Sequence, residues 1–328
     1  MTYSTGGLIQ ATDYNGFVND TAGANINATW STGATNSGWG QTAIAPVTTG
    51  ATVTATQWAT LVANLATMGS QTGTTLTSRT QPTAGQTISV LAAVNTDITN
   101  CYTNRGNAAA SGTAYGTFSG TTSKTTATGS SQTTWTITFT HTVTFPSADQ
   151  ARYFFNAGGI VKIQYGKSST GTDIDADWNT FVGLCGSINI TGGAQTIASQ
   201  AYTGTTRLGG TGGTQTTLAT TTGWYNLTTS PTTIFQLNNT ASPYTGEYIR
   251  TTATATSSTV LTLVTTWFQP AVSAAGTTCN ISGGTATASP STTITGTAPT
   301  TLVTYLPPST AQGLSNTWGT PAIAASVA

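Results

Sequence analysis

Three carboxylates at alternate positions, Asp173, Asp175 and Asp177, form the single acidic cluster of the sequence, and chemistry is sought there first. Oxygen-ligated calcium sites use carboxylates at this spacing, and the run imitates the opening of an EF-hand loop. The imitation stops early. Glycine is missing at the sixth place, and Leu184 stands at the twelfth, where the bidentate glutamate belongs. The same run precedes Trp178, Phe181, Val182 and Cys185, which share one face of a short helix, and acidic residues near a helix start are stabilised by its dipole. Capping is the reading carried forward, with Asp173, Asp175 and Asp177 kept as metal candidates only.

Other reactive groups are scarce. His141 is the only histidine and Glu247 the only glutamate. A histidine-based dyad would need His141, yet it falls on a strand face with Trp135 and Phe145, where a partly buried, hydrogen-bonded imidazole is expected. Paired carboxylates for glycoside cleavage would come from seven aspartates and Glu247, and the spacing singles out no pair. Leu208-Gly209-Gly210-Thr211-Gly212-Gly213 lacks the Lys-Ser/Thr ending of a phosphate loop. Cys101, Cys185 and Cys279 are odd in number and far apart, so they read as small buried residues, not a metal or disulfide frame. No catalytic residue and no cofactor follow, and a polymer hydrolase using the Asp173 to Asp177 cluster is the enzymatic alternative. Trp39, Tyr115 and Trp224, in loops, are candidates for stacking on a host glycan or for a protein interface, with core packing as the plainer expectation.

Composition narrows the partners. Of 328 residues only 5% are charged, eight basic against eight acidic, where an average globular protein has roughly 25%. The surface must be hydroxyl, amide and glycine. Such a surface neither repels its own copies nor attracts phosphates, so self-association is expected, and neither nucleic-acid binding nor polybasic membrane docking is. Met1 to Gly7 shows no signal-peptide pattern, and no run approaches the roughly 20 apolar residues of a membrane span. Aromatic residues at 9%, with abundant threonine and valine, argue for a folded, β-rich chain.

The elements follow from periodicity. Trp135, Ile137, Phe139, His141, Val143 and Phe145 alternate with threonines, which predicts a strand with one buried face. Ser147 and Gln150 open a helix that Gly158 and Gly159 stop, and Ile160 to Tyr165 resumes as a strand. Further strands are predicted at Ser187 to Ile190, Thr216 to Leu218, Trp224 to Leu227, Thr232 to Leu237, Tyr248 to Thr256, Val260 to Phe268 and Thr301 to Leu306. Earlier in the chain, Ile9 to Tyr14 with Phe17 and Val18 lines up with Val53 to Trp58 with Leu61 and Val62. Both copies are helical in pattern, and a third helix is predicted from Thr87 to about Asn104, stopped by Gly106. Residues 1–106 thus read as a small helical region, 107–131 as a linker or surface crossing, 132–270 as an antiparallel β-sandwich with short crossover helices, and 271–328 as a strand-and-loop tail. The apolar end of that tail, Ala322 to Ala328, is left open between docking on a neighbouring copy and packing on its own domain. The fold class is mainly β.

Arg152-Tyr153-Phe154-Phe155-Asn156-Ala157-Gly158-Gly159 followed by an apolar strand resembles a module of tail- and fibre-associated structural proteins of tailed bacteriophages. The opening, with Ile9-Gln10-Ala11-Thr12-Asp13-Tyr14-Asn15, Gly38-Trp39-Gly40-Gln41 and Ala55-Thr56-Gln57-Trp58, is similar to the amino-terminal region of some myovirus structural proteins, cyanophages included. The resemblance covers residues 1 to roughly 190. It implies a non-enzymatic virion part; with the charge-poor composition, the expectation is a tail, baseplate or fibre component that assembles with itself, the oligomeric state being open and a trimer one option, and with other virion proteins. A glycan-binding adhesin module and a head or neck decoration are the alternatives.

Overall fold

The computed structural model describes residues 10–19, 24–33, 37–79, 83, 91–109, 122–123, 134–171, 173–210, 214–272, 277–281, 284–288 and 291–328. Four helices come first: α1 (Ala11–Asn19), α2 (Ile26–Trp30), α3 (Ala55–Thr72) and α4 (Leu91–Thr103). The predicted capping box opens α3, with Gln57 N donating to Thr54 Oγ1 at 3.3 Å and Thr54 N to Gln57 Oε1 at 2.8 Å. Gly73, at φ +66°, closes it in the left-handed conformation that costs glycine least. The two copies of the repeated pattern pack on each other. Tyr14 and Phe17 of α1 each bring a ring centroid to 5.8 Å from Trp58 of α3, and Tyr14 Oη donates to Gln57 O. The predicted start of the third helix, before Leu91, lies outside the described residues, and α2 is a five-residue helix that periodicity is too short to reveal.

The rest of the chain is β1 (Asn107–Ala108), β2 (Thr122–Ser123), β3 (Trp135–Thr144), α5 (Ala148–Asn156), β4 (Ile160–Gly166), α6 (Asp173–Cys185), β5 (Ser187–Ile197), β6 (Gln200–Leu208), β7 (Thr214–Leu218), β8 (Thr232–Asn238), β9 (Tyr248–Ser257), β10 (Val260–Gln269), β11 (Thr277–Ile281), β12 (Gly284–Ala288), β13 (Thr300–Leu306) and β14 (Ala322–Val327). One sheet runs β1-β5-β4-β13-β2, with β6 also on β5, and the second runs β14-β3-β10-β9-β8-β7. A separate hairpin joins β11 to β12. Apart from the parallel β1–β5 pair, the described ladders are antiparallel. The sheets face each other as a sandwich, with Tyr165 of β4 stacked on Phe235 of β8 and Trp267 of β10 donating to Thr301 Oγ1 of β13. The fold is mainly β, as the sequence predicts.

Alternation in β3 turns Trp135, Ile137, Phe139, His141 and Val143 inward, each no more than 2% exposed. Ser147 Oγ accepts from Gln150 N to cap α5, whose Phe154 and Phe155 enter the core beside Phe145. Segments expected at the periphery take part in the sheets. Residues 107–108 and 122–123, within the stretch read as a linker or crossing, pair with β5 and β13. Of the tail, β13 and β14 join different sheets, and Ser315 exchanges two hydrogen bonds with the Gln41 side chain. Ala322 to Val327 therefore pairs with β3 of its own chain. The strand expected at Trp224 to Leu227 is instead a 3-10 turn, Trp224–Asn226, because the inward Trp224 ring anchors it against Phe155 and no ladder partner is present among the described residues.

The β5–β6 hairpin turns through Ala198 and Ser199, both with left-handed backbone at φ 52° and 65°. A two-residue turn with positive φ at both positions suits Asn-Gly, since a Cβ in that conformation costs roughly 1–2 kcal/mol. The double substitution Ala198→Asn with Ser199→Gly is expected to stabilise the protein by about 1 kcal/mol, read as a higher urea midpoint at unchanged slope. An unchanged or lower midpoint would show that the turn is not strained.

Candidate functional site

Helix α6 divides the acidic cluster. Residues two apart on a helix point to different sides, and the three carboxylates take three different surroundings. Asp173 is exposed in the first turn. Asp175 is fully buried and forms an ion pair with Lys167, itself fully buried at the side chain. Its oxygens also accept from Thr295 N and Oγ1 at 3.2 and 3.3 Å and from Gly296 N at 3.2 Å. That carboxylate therefore ties the start of α6 to the segment leading into β13. Gly171 and Gly296 make the approach feasible, since a Cβ on either would press into Asp175 or the Thr170 carbonyl. Capping is thus only part of what the cluster does, and among the described residues no three His, Cys, Asp or Glu side chains gather as a metal site.

Asp177 points the other way and meets Glu247, the pair that spacing along the chain conceals. The Asn239 side-chain amide donates to both carboxyl groups, at 2.7 Å to Asp177 Oδ2 and 2.8 Å to Glu247 Oε2. Backbone bonds from Asn239 N to Glu247 O and from Gly246 N to Asn239 O close the loop around them. Burial pushes the Glu247 carboxyl well above the ordinary glutamate range, and the neighbouring Asp177 charge pushes it further. Burial also raises Asp177, while the hydrogen bond from Glu247 opposes that rise. The two directions favour a proton on Glu247 rather than on Asp177, and the two carboxyl groups, bridged by Asn239, form a latch between α6 and the 239–247 loop. Two carboxyl groups with one proton are also the elements of acid–base chemistry, but Glu247 is 0% exposed, and no substrate reaches it in this geometry.

The remaining candidates are placed as follows. His141 is fully buried, deeper than the partly buried position expected, on the inner face of β3 between Leu263 and Ala325 in the ladders. Cys101 and Cys185 are buried thiols, Cys185 pushed up to about 12 by burial, and the Cys279 side chain lies outside the described residues. Trp39 and Trp224 are 1% and 8% exposed, the core packing that is the plainer expectation for them, and not the stacking surface that is the alternative. Trp39 is closed in by the bonds that join its loop to residues 315–317, and Trp224 stacks on Phe155 at 5.3 Å. Tyr115 lies outside the described residues. The side chain that does reach the surface is Tyr225, half exposed at the mouth of a cleft of about 380 Å³. No signal in the sequence separates Tyr225 from its neighbour Trp224, because which of them turns inward is decided by Phe155 across the fold. Comparison with known proteins finds no matching family model, curated protein or solved structure.

Two measurements test these assignments. Asp175→Ala strands the buried Lys167 charge, and a loss of about 3–5 kcal/mol of unfolding free energy is expected; a loss under about 1 kcal/mol would mean the pair is solvated. For the carboxyl latch, the folded state favours the protonated Glu247. Its contribution is full below the unperturbed value of 4.5 and is lost as pH rises from there through the raised folded value. Glu247→Gln keeps a donor toward Asp177 without the charge, so its melting temperature should exceed the parent's at pH 8 and converge with it near pH 4. Equal melting temperatures at both pH values would rule out the shared proton.

Proposed function

We propose that this chain is a non-enzymatic structural component of a phage virion, a tail, baseplate or fibre part, that assembles through protein–protein contacts with itself and with other virion proteins. The observation that carries the reading is the outer side of β14. Ala328 and Thr138 exchange both backbone hydrogen bonds, at 2.8 and 2.9 Å, so in the alternating ladder the N–H and C=O groups of Ile323, Ala325 and Val327 point away from β3. Among the described residues the sheet ends there. Natural edges are usually blunted by lysine, proline or a bulge, and Ala322–Val327 carries none of these.

Such an edge is a template for a further strand, and the charge-poor composition places no repulsion in its way. The resemblance at Arg152 to Gly159 and at the amino-terminal motifs supports the virion setting. In those segments the side chains serve packing: Phe154, Phe155, Trp39 and Trp58 are buried, and Asn156 Nδ2 donates to Gly38 O. Lys167 with Asp175, and Asp177 with Glu247 through Asn239, likewise hold elements together.

Light scattering over a dilution series tests the reading. The parent is expected to form a discrete oligomer, and Ala325→Pro to dissociate it at least about tenfold more readily, because proline deletes an outward N–H while sparing the β3 ladder. Unfolding of the variant should match the parent's. A parent that stays monomeric at every concentration, or a folded proline variant that assembles equally well, would overturn strand-edge assembly.

A further inference from the structure

The cleft at Tyr225 is built from elements other than β14 and is independent of the assembly reading. Its wall is the β5 segment at Gly192, Gly193 and Gln195, where the ladder to β6 shifts register, and its rim is the end of α4 with Arg105 and the end of α5 with Asn156. Tyr225 is the exposed large hydrophobic side chain among the described residues, at 50%. It is nevertheless fixed. Its Oη donates to Asn156 Oδ1 at 2.7 Å, with Arg152 O also within 3.2 Å, and its ring lies so close over Gly192 that a Cβ there would come to 2.8 Å from Cε2. A ring held on one face and open on the other is an immobilised platform, which lowers the ordering cost of binding.

The polar groups beside it are few and specific. The Arg105 guanidinium lies 4.1 Å over the Tyr102 ring and donates one Nη1 hydrogen bond to Tyr102 O, and no carboxylate pairs with it among the described residues. Gln195 Nε2 is given to Phe155 O, while Gln195 Oε1 has no partner. The Arg79–Asp97 and Lys167–Asp175 pairs are internal and Arg152 pairs with the exposed Asp149; Arg105, at the cleft and without a carboxylate among the described residues, has its remaining donors open to one. A flat ring with a polar margin suits a pyranose, which offers C–H groups on one face and hydroxyls around its edge. Tyrosine and arginine also serve as protein-interface anchors; the sugar is favoured here by the half-exposed, immobilised ring with single polar groups at its margin. We infer that the cleft binds a carboxylate-bearing saccharide unit, its ring stacked on Tyr225 and its carboxylate on Arg105.

Titration of the full chain with methyl glucuronide and methyl glucoside, followed by NMR, tests this. Saturable binding of the glucuronide is expected, with the glucoside weaker by about tenfold or more for want of the charge-assisted pair. Arg105→Gln should remove that difference and leave the glucoside unaffected. Tyr225→Leu, which keeps a side chain on Gly192 but no flat face, should weaken both sugars by about tenfold; should that variant misfold, the arginine variant decides alone. Absence of saturation by either sugar, equal affinity for the two, or a glucuronide affinity unchanged in Arg105→Gln would overturn the inference. Loss of self-association in the cleft variants, with no sugar bound, would overturn it too and assign the cleft to a protein contact. The proline variant of β14 should bind the glucuronide like the parent, so failure of one reading leaves the other standing.

Discussion

The two sheets are held together by large aromatic rings whose polar tips end inside the protein, and much of the composition follows from satisfying those tips. Rings run in contact from Trp135 through Trp178, Trp267 and Tyr165 to Phe235, with successive centroids 5.6, 5.1, 6.4 and 6.0 Å apart. Each indole or phenol in that column finds a neutral partner. Trp135 Nε1 donates to Thr292 O, Trp178 Nε1 to Gln269 Oε1 and Trp267 Nε1 to Thr301 Oγ1. Tyr165 shares its hydroxyl with Thr251, which in turn meets Thr265. A buried polar group left unpaired costs about 1–3 kcal/mol, and beside the Thr292 carbonyl and the Gln269 amide, the short hydroxyls of Thr301 and Thr251 meet that need here. Threonine favours the pleated backbone as well.

That column explains which parts of the fold are legible in the sequence. β3 and β10 are read correctly because an inner face of tryptophan and aliphatic residues must alternate with outward threonine, and α3 because Thr54, Gln57 and an apolar stripe mark its start. β6 is missed: Gln200–Leu208 carries little apolar alternation and exists through its ladder to β5. β1 and β2 are two residues each, too short for any period. The acidic cluster misleads for a related reason. Closeness along the chain suggested a joint site, whereas helix geometry sends Asp175 and Asp177 to partners more than a hundred and about seventy positions away, Thr295 and Glu247. Pairings over such separations leave no local mark.

Scarce charge is spent inward. Arg79 is paired with Asp97 and Lys167 with Asp175, and Arg207 covers the Leu184 and Cys185 carbonyls at the end of α6, where a cation also complements the helix dipole. Breaking such a contact is costly because the remaining partner stays buried. These charges are therefore fasteners between elements, and the surface is left to hydroxyls, amides and glycine. A surface of that kind gives little long-range steering and little repulsion between copies.

Contacts made by this surface must then rely on short-range terms, and the β14 edge and the Tyr225 cleft rely on different ones. Strand pairing is a row of backbone hydrogen bonds between neutral groups, with Ile323 and Val327 partly buried beneath them. Salt screening acts on charges, so such a row is nearly indifferent to ionic strength. The contact proposed for the cleft sets one guanidinium against one carboxylate at a partly exposed position, and such an attraction weakens as the Debye length falls from about 10 Å at 0.1 M to about 3 Å at 1 M. Under the two proposals, assembly stays nearly constant across salt conditions while the hold on an acidic sugar varies. The separation follows from placing the Arg79–Asp97 and Lys167–Asp175 pairs inside the fold and leaving Arg105 at a cleft without a carboxylate partner among the described residues.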